Sequence, residues 1–364
     1  MGLRCGIVGL PNVGKSTLFN ALSQAGAESA NYPFCTIEPN VGVVSVPDER
    51  QDRLAELAGS SKSVPATIEF VDIAGLVAGA SKGEGLGNQF LGHIREVDAI
   101  IHVVRCFADD NIVHVAATID PRRDIEIIET ELLLKDLETV EKRVERTSKL
   151  AKSGDKKIAA EVAFYERVSA AIQAGTPARL IDASTDELAW LNSLFLLTRK
   201  PVLYAANVSD GDLPDGNAFV DIVREVAAEE GAGVVVVSAE LEAEIVELEV
   251  EERAAFLDEL GLAATGLDRL IQGAYGLLGM ITFFTCGPKE TRAWTIVRGT
   301  KAPAAAAEIH TDFERGFIRA ETIKFTDYER HGSESGVRDA GAMRSEGKEY
   351  VVQDGDVILF RFNV

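Results

Sequence analysis

The segment Gly9–Ser16 carries the residue types best suited to bind a phosphate. It reads Gly-Leu-Pro-Asn-Val-Gly-Lys-Ser, between an apolar run, Cys5–Val8, and a helix-like segment, Thr17–Leu22. This order of strand, glycine-rich loop and helix is that of a P-loop. The glycines let backbone N–H groups surround an anion, and the helix N-terminus adds a positive dipole end. The pattern predicts a nucleoside triphosphate site in which Lys15 reaches the β- and γ-phosphates and the Ser16 hydroxyl binds Mg²⁺.

A second motif of nucleotide switches, D-x-x-G, occurs at Asp72–Gly75, at the end of a strand-like run. Its aspartate holds a Mg²⁺ water and its glycine amide senses the γ-phosphate. The next residue is Leu76, which cannot hydrogen-bond the attacking water as the glutamine of many GTPases does. The water must then be oriented by the glycine-rich backbone, by a monovalent cation such as K⁺ near Asn12, or by His114 as orienter or general base. We therefore predict slow intrinsic hydrolysis.

Two later strand ends predict the pocket for the nucleotide base. The apolar run Pro201–Ala206 is followed by Asn207, Val208 and Asp210, and the next buried strand ends in Ser238. Guanine-specific switches use N-K-x-D here, with the lysine packed on the base and the aspartate accepting hydrogen bonds from it. Val208 replaces that lysine, whereas Asp210 is the residue type that reads guanine. These residues alone do not decide whether the site prefers adenine or guanine.

The periodicity of the chain predicts three parts. Strand and helix signals alternate in residues 1–121 and 200–278, which indicates a P-loop α/β domain with a mixed, mostly parallel sheet and helices on both faces. Residues 122–199 read as long helices, and a 4-3-4 apolar spacing predicts an inserted antiparallel coiled-coil hairpin. Residues 279–364 read as a small mixed β domain. The hairpin spacing involves Leu133, Leu137, Val140 and Val144, and the predicted β runs include Glu349–Val351 and Val357–Phe362.

Charge and cysteine content restrict the partners and the compartment. The net charge is −21, which argues against a protein that coats DNA with its whole surface. The hairpin tip, Lys142–Lys157, is nonetheless strongly basic, so that both an RNA contact and a solvated helix face remain open. Four scattered cysteines suit a reducing cytoplasm, and no apolar run is long enough to cross a membrane.

Taken together, these motifs make the chain resemble the Obg-like ATPase family along its whole length. The resemblance implies a G domain, a coiled-coil insertion and a C-terminal β-grasp domain of the TGS type. It also implies binding to ribosomes and a preference for ATP over GTP. The segments that carry it are Gly9–Ser16, Pro33–Asn40, Asp72–Leu76, Lys82–Leu91, His310–Arg319 and Asp354–Val357.

The resemblance also assigns site residues by position. It implies that Ser16 and Thr36 ligate Mg²⁺, that Asp72 acts through water, and that the backbone of Val208 meets the adenine edge. The phosphates would be held by Asn12, Val13, Gly14, Lys15, Ser16 and Thr17.

The expected function is a cytoplasmic ATPase switch, acting in translation or its regulation under stress, that engages the 70S ribosome or its 50S subunit. We expect the contact with ribosomal RNA through the hairpin tip and the TGS domain. One alternative is a GTPase of the same fold in ribosome assembly. Another is a non-enzymatic ribosome adaptor with a structural nucleotide.

Overall fold

The computed structural model describes residues 3–29, 40–73, 86–109, 111–112, 118–151 and 155–363. Up to residue 151 the elements are β1 (Arg4–Val8), α1 (Lys15–Ser29), β2 (Val41–Ser45), α2 (Glu49–Ala58), β3 (Ser63–Val64), β4 (Thr67–Asp72), α3 (Leu86–Glu96), β5 (Ala99–Arg105) and α4 (Pro121–Ala151). They continue with α5 (Lys156–Gln173), α6 (Thr185–Asn192), β6 (Val202–Asn207), α7 (Ala218–Glu230), β7 (Gly233–Val237), α8 (Ala239–Glu247), α9 (Val250–Glu259) and α10 (Gly266–Leu277). The last are β8 (Met280–Thr285), β9 (Thr291–Val297), α11 (Ala302–Ile309), α12 (Thr311–Arg315), β10 (Phe317–Lys324), α13 (Phe325–His331), α14 (Glu334–Asp339), β11 (Arg344–Glu346) and β12 (Asp356–Phe362).

The chain divides into two compact units. One contains residues 3–42 and 69–273, and the other contains residues 43–68 and 274–364. No described helix combines the length and the apolar character that crossing a bilayer requires. The predicted domain boundaries, 1–121 with 200–278, 122–199 and 279–364, stay a prediction.

A six-stranded sheet of order β2-β4-β1-β5-β6-β7 positions the predicted site. Strand β1 pairs in parallel with β4 and β5, and β6 pairs in parallel with β5 and β7. Every residue of β5 and β6 is buried, as expected for central strands covered on both faces. Because the strands are parallel, their carboxyl ends meet at one edge, where ligands of open α/β sheets bind.

The inserted helices pack as the sequence spacing predicts. Leu133 and Val140 of α4 are buried in one cluster with residues of α5, and Leu137 and Val144 pack against its margin. Asp136 anchors the middle of α4, because its carboxylate accepts hydrogen bonds from the backbone N–H groups of two residues shortly before β6. These bonds, to residues 197 and 198, are 2.7 and 2.8 Å long.

The second unit contains a sheet of order β11-β10-β12-β8-β9-β3. Residues 43–68, which lie inside the predicted nucleotide-binding domain, group with this unit through side-chain contacts. The Arg50 guanidinium donates to Asp354 at 2.8 Å, and the Ser60 hydroxyl donates to the Gly287 carbonyl at 2.8 Å. The predicted strand at Glu349–Val351 is wrong. Only Val351 forms an isolated bridge, to Lys301, because the residues before it form a turn.

Candidate nucleotide-binding site

The P-loop follows β1 and leads directly into α1, and its two glycines are required by close contacts. A Cβ at Gly9 would lie 2.8 Å from the Val103 carbonyl oxygen. Gly14 has φ +88°, and a Cβ there would collide with the side-chain amide of Asn207. Asn12 also has a left-handed backbone, with φ 65°, a conformation that asparagine tolerates better than most residues. A side chain at Gly9 or Gly14 would therefore displace these neighbours and distort the loop.

The first turn of α1 presents polar groups next to a carboxylate. Ser16, Thr17 and Asn12 are exposed, whereas Val13 is buried beneath the loop. The Lys15 ammonium is 9 % exposed and forms an ion pair with Asp72 at the end of β4. A cation therefore already lies on the carboxylate that is predicted to hold the Mg²⁺ water.

The donor set at this edge fits Mg²⁺. This ion takes oxygen ligands and is bound in such sites by one or two protein groups together with waters and substrate phosphates. Ser16 and Asp72 supply groups of that kind. The described ranges contain no cluster of three or more His, Cys, Asp or Glu side chains that could hold a metal, and a P-loop site does not need one.

Asn207 links the P-loop to the predicted base side of the site. Its side chain is almost fully buried, donates to the Val13 carbonyl at 2.9 Å, and accepts from the Ala239 N–H at 2.9 Å. This side chain thereby joins the phosphate loop to the start of α8. Asn207, which the base motif predicts as a site residue, therefore also supports the P-loop.

The remaining base-motif residues lie close together beside Asn207. The Ser238 hydroxyl donates to the Asp210 carboxylate at 2.5 Å, and Ser238 also caps α8. Val208 is buried, and its N–H donates to the Val237 carbonyl at 2.9 Å. The Val208 N–H is therefore engaged in the protein, which leaves its carbonyl as the backbone group with which a base edge could pair.

Arg105 is a site residue that sequence reasoning did not identify. Its guanidinium is buried, and it donates to the carbonyl of Ile112 at 3.0 Å and more weakly to that of Asn12 at 3.5 Å. It also lies over the ring of Phe107. Burial lowers the pKa of the guanidinium. In the sequence, Arg105 could have been noticed as a charged residue at the end of the mostly apolar run that forms β5.

Thr36 and His114 lie outside the described residues, as do Gly75 and Leu76. His102, in the middle of β5, is 5 % exposed beside Tyr204. Burial lowers the pKa of His102 to about 3, with a smaller contribution from Arg179, so the ring is neutral near pH 7.

Glu242 is a buried carboxyl at the start of α8. It is 2 % exposed and accepts a hydrogen bond from the Gly266 N–H at 2.6 Å. Its other oxygen, Oε2, has no hydrogen-bond partner in the described part of the chain. Burial raises the pKa of Glu242 to about 7, although the N–H groups of Gly266 and Leu267 act in the opposite direction. The fold thus favours the protonated form.

The substitution Glu242→Gln is expected to stabilise the protein at about pH 8. The folded chain keeps the Glu242 proton up to about pH 7, whereas the unfolded chain releases it near 4.5, so the free energy of unfolding falls as pH rises through this window. Removing the charge should recover about 1–3 kcal/mol at the alkaline end. Urea unfolding across the pH range measures this. Glu240→Gln, on the exposed side of α8, is the control, and an unchanged pH profile in Glu242→Gln would contradict the prediction.

Family models match both ends of the chain. The model described as 50S ribosome-binding GTPase matches residues 4–144. A second model, YchF-GTPase_C, described as a protein of unknown function, matches residues 280–363. The two matches fall on the P-loop region and on the C-terminal β-rich region.

Relatives match the chain over its whole length. A Bacillus subtilis protein named ribosome-binding ATPase YchF is 58 % identical over 366 residues, and a protein of the same name from Escherichia coli O157:H7 is 56 % identical over 364 residues. Each alignment covers 100 % of both chains. The structure of the Schizosaccharomyces pombe YchF GTPase matches with a TM-score of 0.90 and 41 % identity, covering 99 % of this chain and 98 % of that one. These matches confirm the predicted P-loop α/β fold with an additional C-terminal domain.

Proposed function

Because the chain belongs to the YchF family, we propose that it is a nucleotide-dependent switch that binds and slowly hydrolyses ATP with Mg²⁺ and associates with the ribosome. One observation carries the proposal. The P-loop, Asp72 and Asn207 meet at one sheet edge, in a chain similar along its full length to proteins named ribosome-binding ATPases. The reaction is hydrolysis of a phosphoanhydride bond, and measurement of multiple-turnover phosphate release tests it. A ribosome partner implies that the protein acts in the cytoplasm.

The phosphate side of the site supports specific roles. Backbone N–H groups of Asn12–Thr17 hold the phosphates, Ser16 and Thr36 ligate Mg²⁺, and Asp72 acts through a water. The ion pair between Lys15 and Asp72 suggests how binding proceeds. The Lys15 ammonium transfers to the β- and γ-phosphates, which frees the Asp72 carboxylate for the metal's water shell.

Slow turnover follows from Leu76, which stands where many GTPases have a water-orienting glutamine. We retain His114 and a K⁺ ion near Asn12 as candidates for orienting the water. The backbone conformation of Asn12 and its exposed position support the second candidate. A partner that orders the loops would then accelerate hydrolysis.

The contacts of the base motif favour adenine. The N6 amino group of adenine is a donor and pairs with a carbonyl, which Val208 can offer. The O6 of guanine is an acceptor and needs a donor, but the Val208 N–H is already bonded to Val237. A GTPase in ribosome assembly is the second candidate, because Asp210 remains able to accept from guanine and the matching N-terminal family model is described as a GTPase. A non-enzymatic adaptor is the third.

We propose that the hairpin tip contacts ribosomal RNA together with the TGS domain, and the structure separates the engaged tip cations from the available ones. Arg143 donates to the Ser193 carbonyl at 3.2 Å, and Lys149 pairs with Glu145 at 2.7 Å. Across the described segments 118–151 and 155–363, three exposed basic residues of the tip have no ion pair within 4 Å: Arg146, Lys156 and Lys157. These residues are the best candidates for phosphate contacts.

Reversing these three charges to Glu is expected to weaken binding to purified ribosomes and to reduce its salt dependence. Each lost phosphate contact should lower the slope of log affinity against log salt by about 0.7 to 0.9. Sedimentation of ribosomes at several salt concentrations measures both quantities. The matched control reverses three exposed basic residues elsewhere: Arg53, Lys62 and Arg224. Equal effects of the two triple variants would contradict a role for the tip.

A further inference from the structure

The turn after α6 contains a bulky residue in an unfavourable state. Phe195 has φ 50°, in the left-handed region that usually requires Gly or Asn. Its side chain is 83 % exposed, while its neighbours Leu194 and Leu196 are buried in the core of the insertion. Backbone strain and an exposed aromatic ring both oppose stability, and neither is offset by packing. Such a residue points to a function that needs the ring at the surface.

The ring lies at the edge of a basic cleft of about 430 Å³. Arg95, Arg199 and Lys200 line this cleft together with a single carboxylate, Asp98. Lys200 is directed at backbone carbonyls, including that of Arg95 at 3.3 Å. In the ranges that the structure describes, the guanidinium groups of Arg95 and Arg199 form no hydrogen bond or ion pair. An excess of positive charge is thus concentrated here in a chain of net charge −21.

The cleft is distinct from the nucleotide site. Its residues Asp98 and Pro201 immediately precede β5 and β6, whereas the P-loop and Asn207 lie at the carboxyl ends of the same sheet. In a parallel sheet these ends are opposite edges. A ligand in the cleft therefore leaves the nucleotide site open.

An exposed aromatic ring beside unpaired guanidinium groups matches the chemistry of single-stranded nucleic acid. Any base can stack on an aromatic face, and arginines pair with the adjoining phosphates. We propose that this cleft binds single-stranded RNA, with a base stacked on Phe195 and phosphates held by Arg95 and Arg199. The identity of this RNA rests on the proposed function: for a protein that associates with the ribosome, it is an unpaired segment of ribosomal RNA. A protein segment fits this cleft less well than RNA, because RNA carries phosphates for the two unpaired guanidinium groups next to a base for the ring.

The variant Phe195→Gly separates function from stability. Glycine is relaxed at a φ of 50°, so the variant should melt at the same temperature as the wild type or higher. Its affinity for a fluorescein-labelled single-stranded RNA of about twelve nucleotides, measured with ADP bound, should fall at least about fivefold. Phe195→Trp should retain the affinity. The matched control is Leu188→Ala, which shortens another exposed apolar side chain of the insertion.

Arg95→Gln with Arg199→Gln tests the phosphate contacts. The slope of log affinity against log salt should fall by about 0.7 for each lost contact with a single strand. Unchanged RNA affinity in both Phe195→Gly and the arginine variant would overturn the proposal. Phosphate release from ATP and the effect of the hairpin-tip charges do not depend on Phe195. If the cleft does not bind RNA, the proposed function therefore still stands. If the proposed function fails, RNA binding by the cleft can still be measured.

Discussion

Lys15→Ala is expected to lower the multiple-turnover rate of ATP hydrolysis by at least about a hundredfold. The Lys15 ammonium lies at the first turn of α1, buried beside Asp72, and it is the cation placed to follow the charge that develops on the γ-phosphate. Its removal also leaves the Asp72 carboxylate without its partner. Phosphate release, measured at saturating ATP and Mg²⁺, reports the rate.

Two comparisons sharpen this test. Lys142→Ala, on the exposed surface of α4, is the matched control and should hydrolyse ATP at the wild-type rate. Lys15→Arg keeps the charge but not the compact ammonium, so it should remain strongly impaired. Phosphate release from Lys15→Ala at more than about a tenth of the wild-type rate would exclude Lys15 from catalysis, since removing one such group should cost about a hundredfold or more.

Asn207→Ala is expected to destabilise the first unit by about 2–4 kcal/mol, because two buried backbone groups lose their partners. The Val13 carbonyl loses a donor and the Ala239 N–H loses an acceptor. The same change frees the P-loop from α8, so the affinity for ADP should fall with the stability. Urea unfolding followed by circular dichroism measures the first effect, and fluorescence titration measures the second.

The conservative variant Asn207→Asp distinguishes hydrogen bonding from packing. An aspartate keeps the acceptor for the Ala239 N–H but places a carboxylate against the Val13 carbonyl, so it should be as destabilising as alanine. Asn20→Ala, on the exposed face of α1, is the control and should leave unfolding unchanged within about 0.5 kcal/mol. If Asn207→Ala unfolds like the wild type, Asn207 does not hold the P-loop.

Local patterns predicted the parts of the site that lie in one continuous segment. Gly9–Ser16 and Asp72 were recognisable because phosphate and metal chemistry restrict residue type and spacing together. The parallel sheet then required the segments that carry Asp72 and Asn207 to meet the P-loop. The hairpin followed from its spacing, because a coiled coil needs apolar residues at two positions in every seven.

Features that depend on tertiary packing could not be predicted in this way. The grouping of α2 with the C-terminal unit rests on side chains such as Arg50 and Ser60, whose partners are more than two hundred residues away. Strand β10 is not among the predicted strands, because the charged residues Arg319 and Glu321 interrupt its apolar residues. The left-handed backbone of Phe195 contradicts its local propensity, so only coordinates could reveal it.

Competitive displacement of a labelled nucleotide by unlabelled ADP and GDP, with Mg²⁺ present, tests the central claim most directly. The engaged Val208 N–H predicts that ADP binds more tightly than GDP. Adenine then pairs with the Val208 carbonyl, which guanine cannot use in the same way. Tighter binding of GDP would contradict the ATPase assignment and favour a GTPase built on the same P-loop.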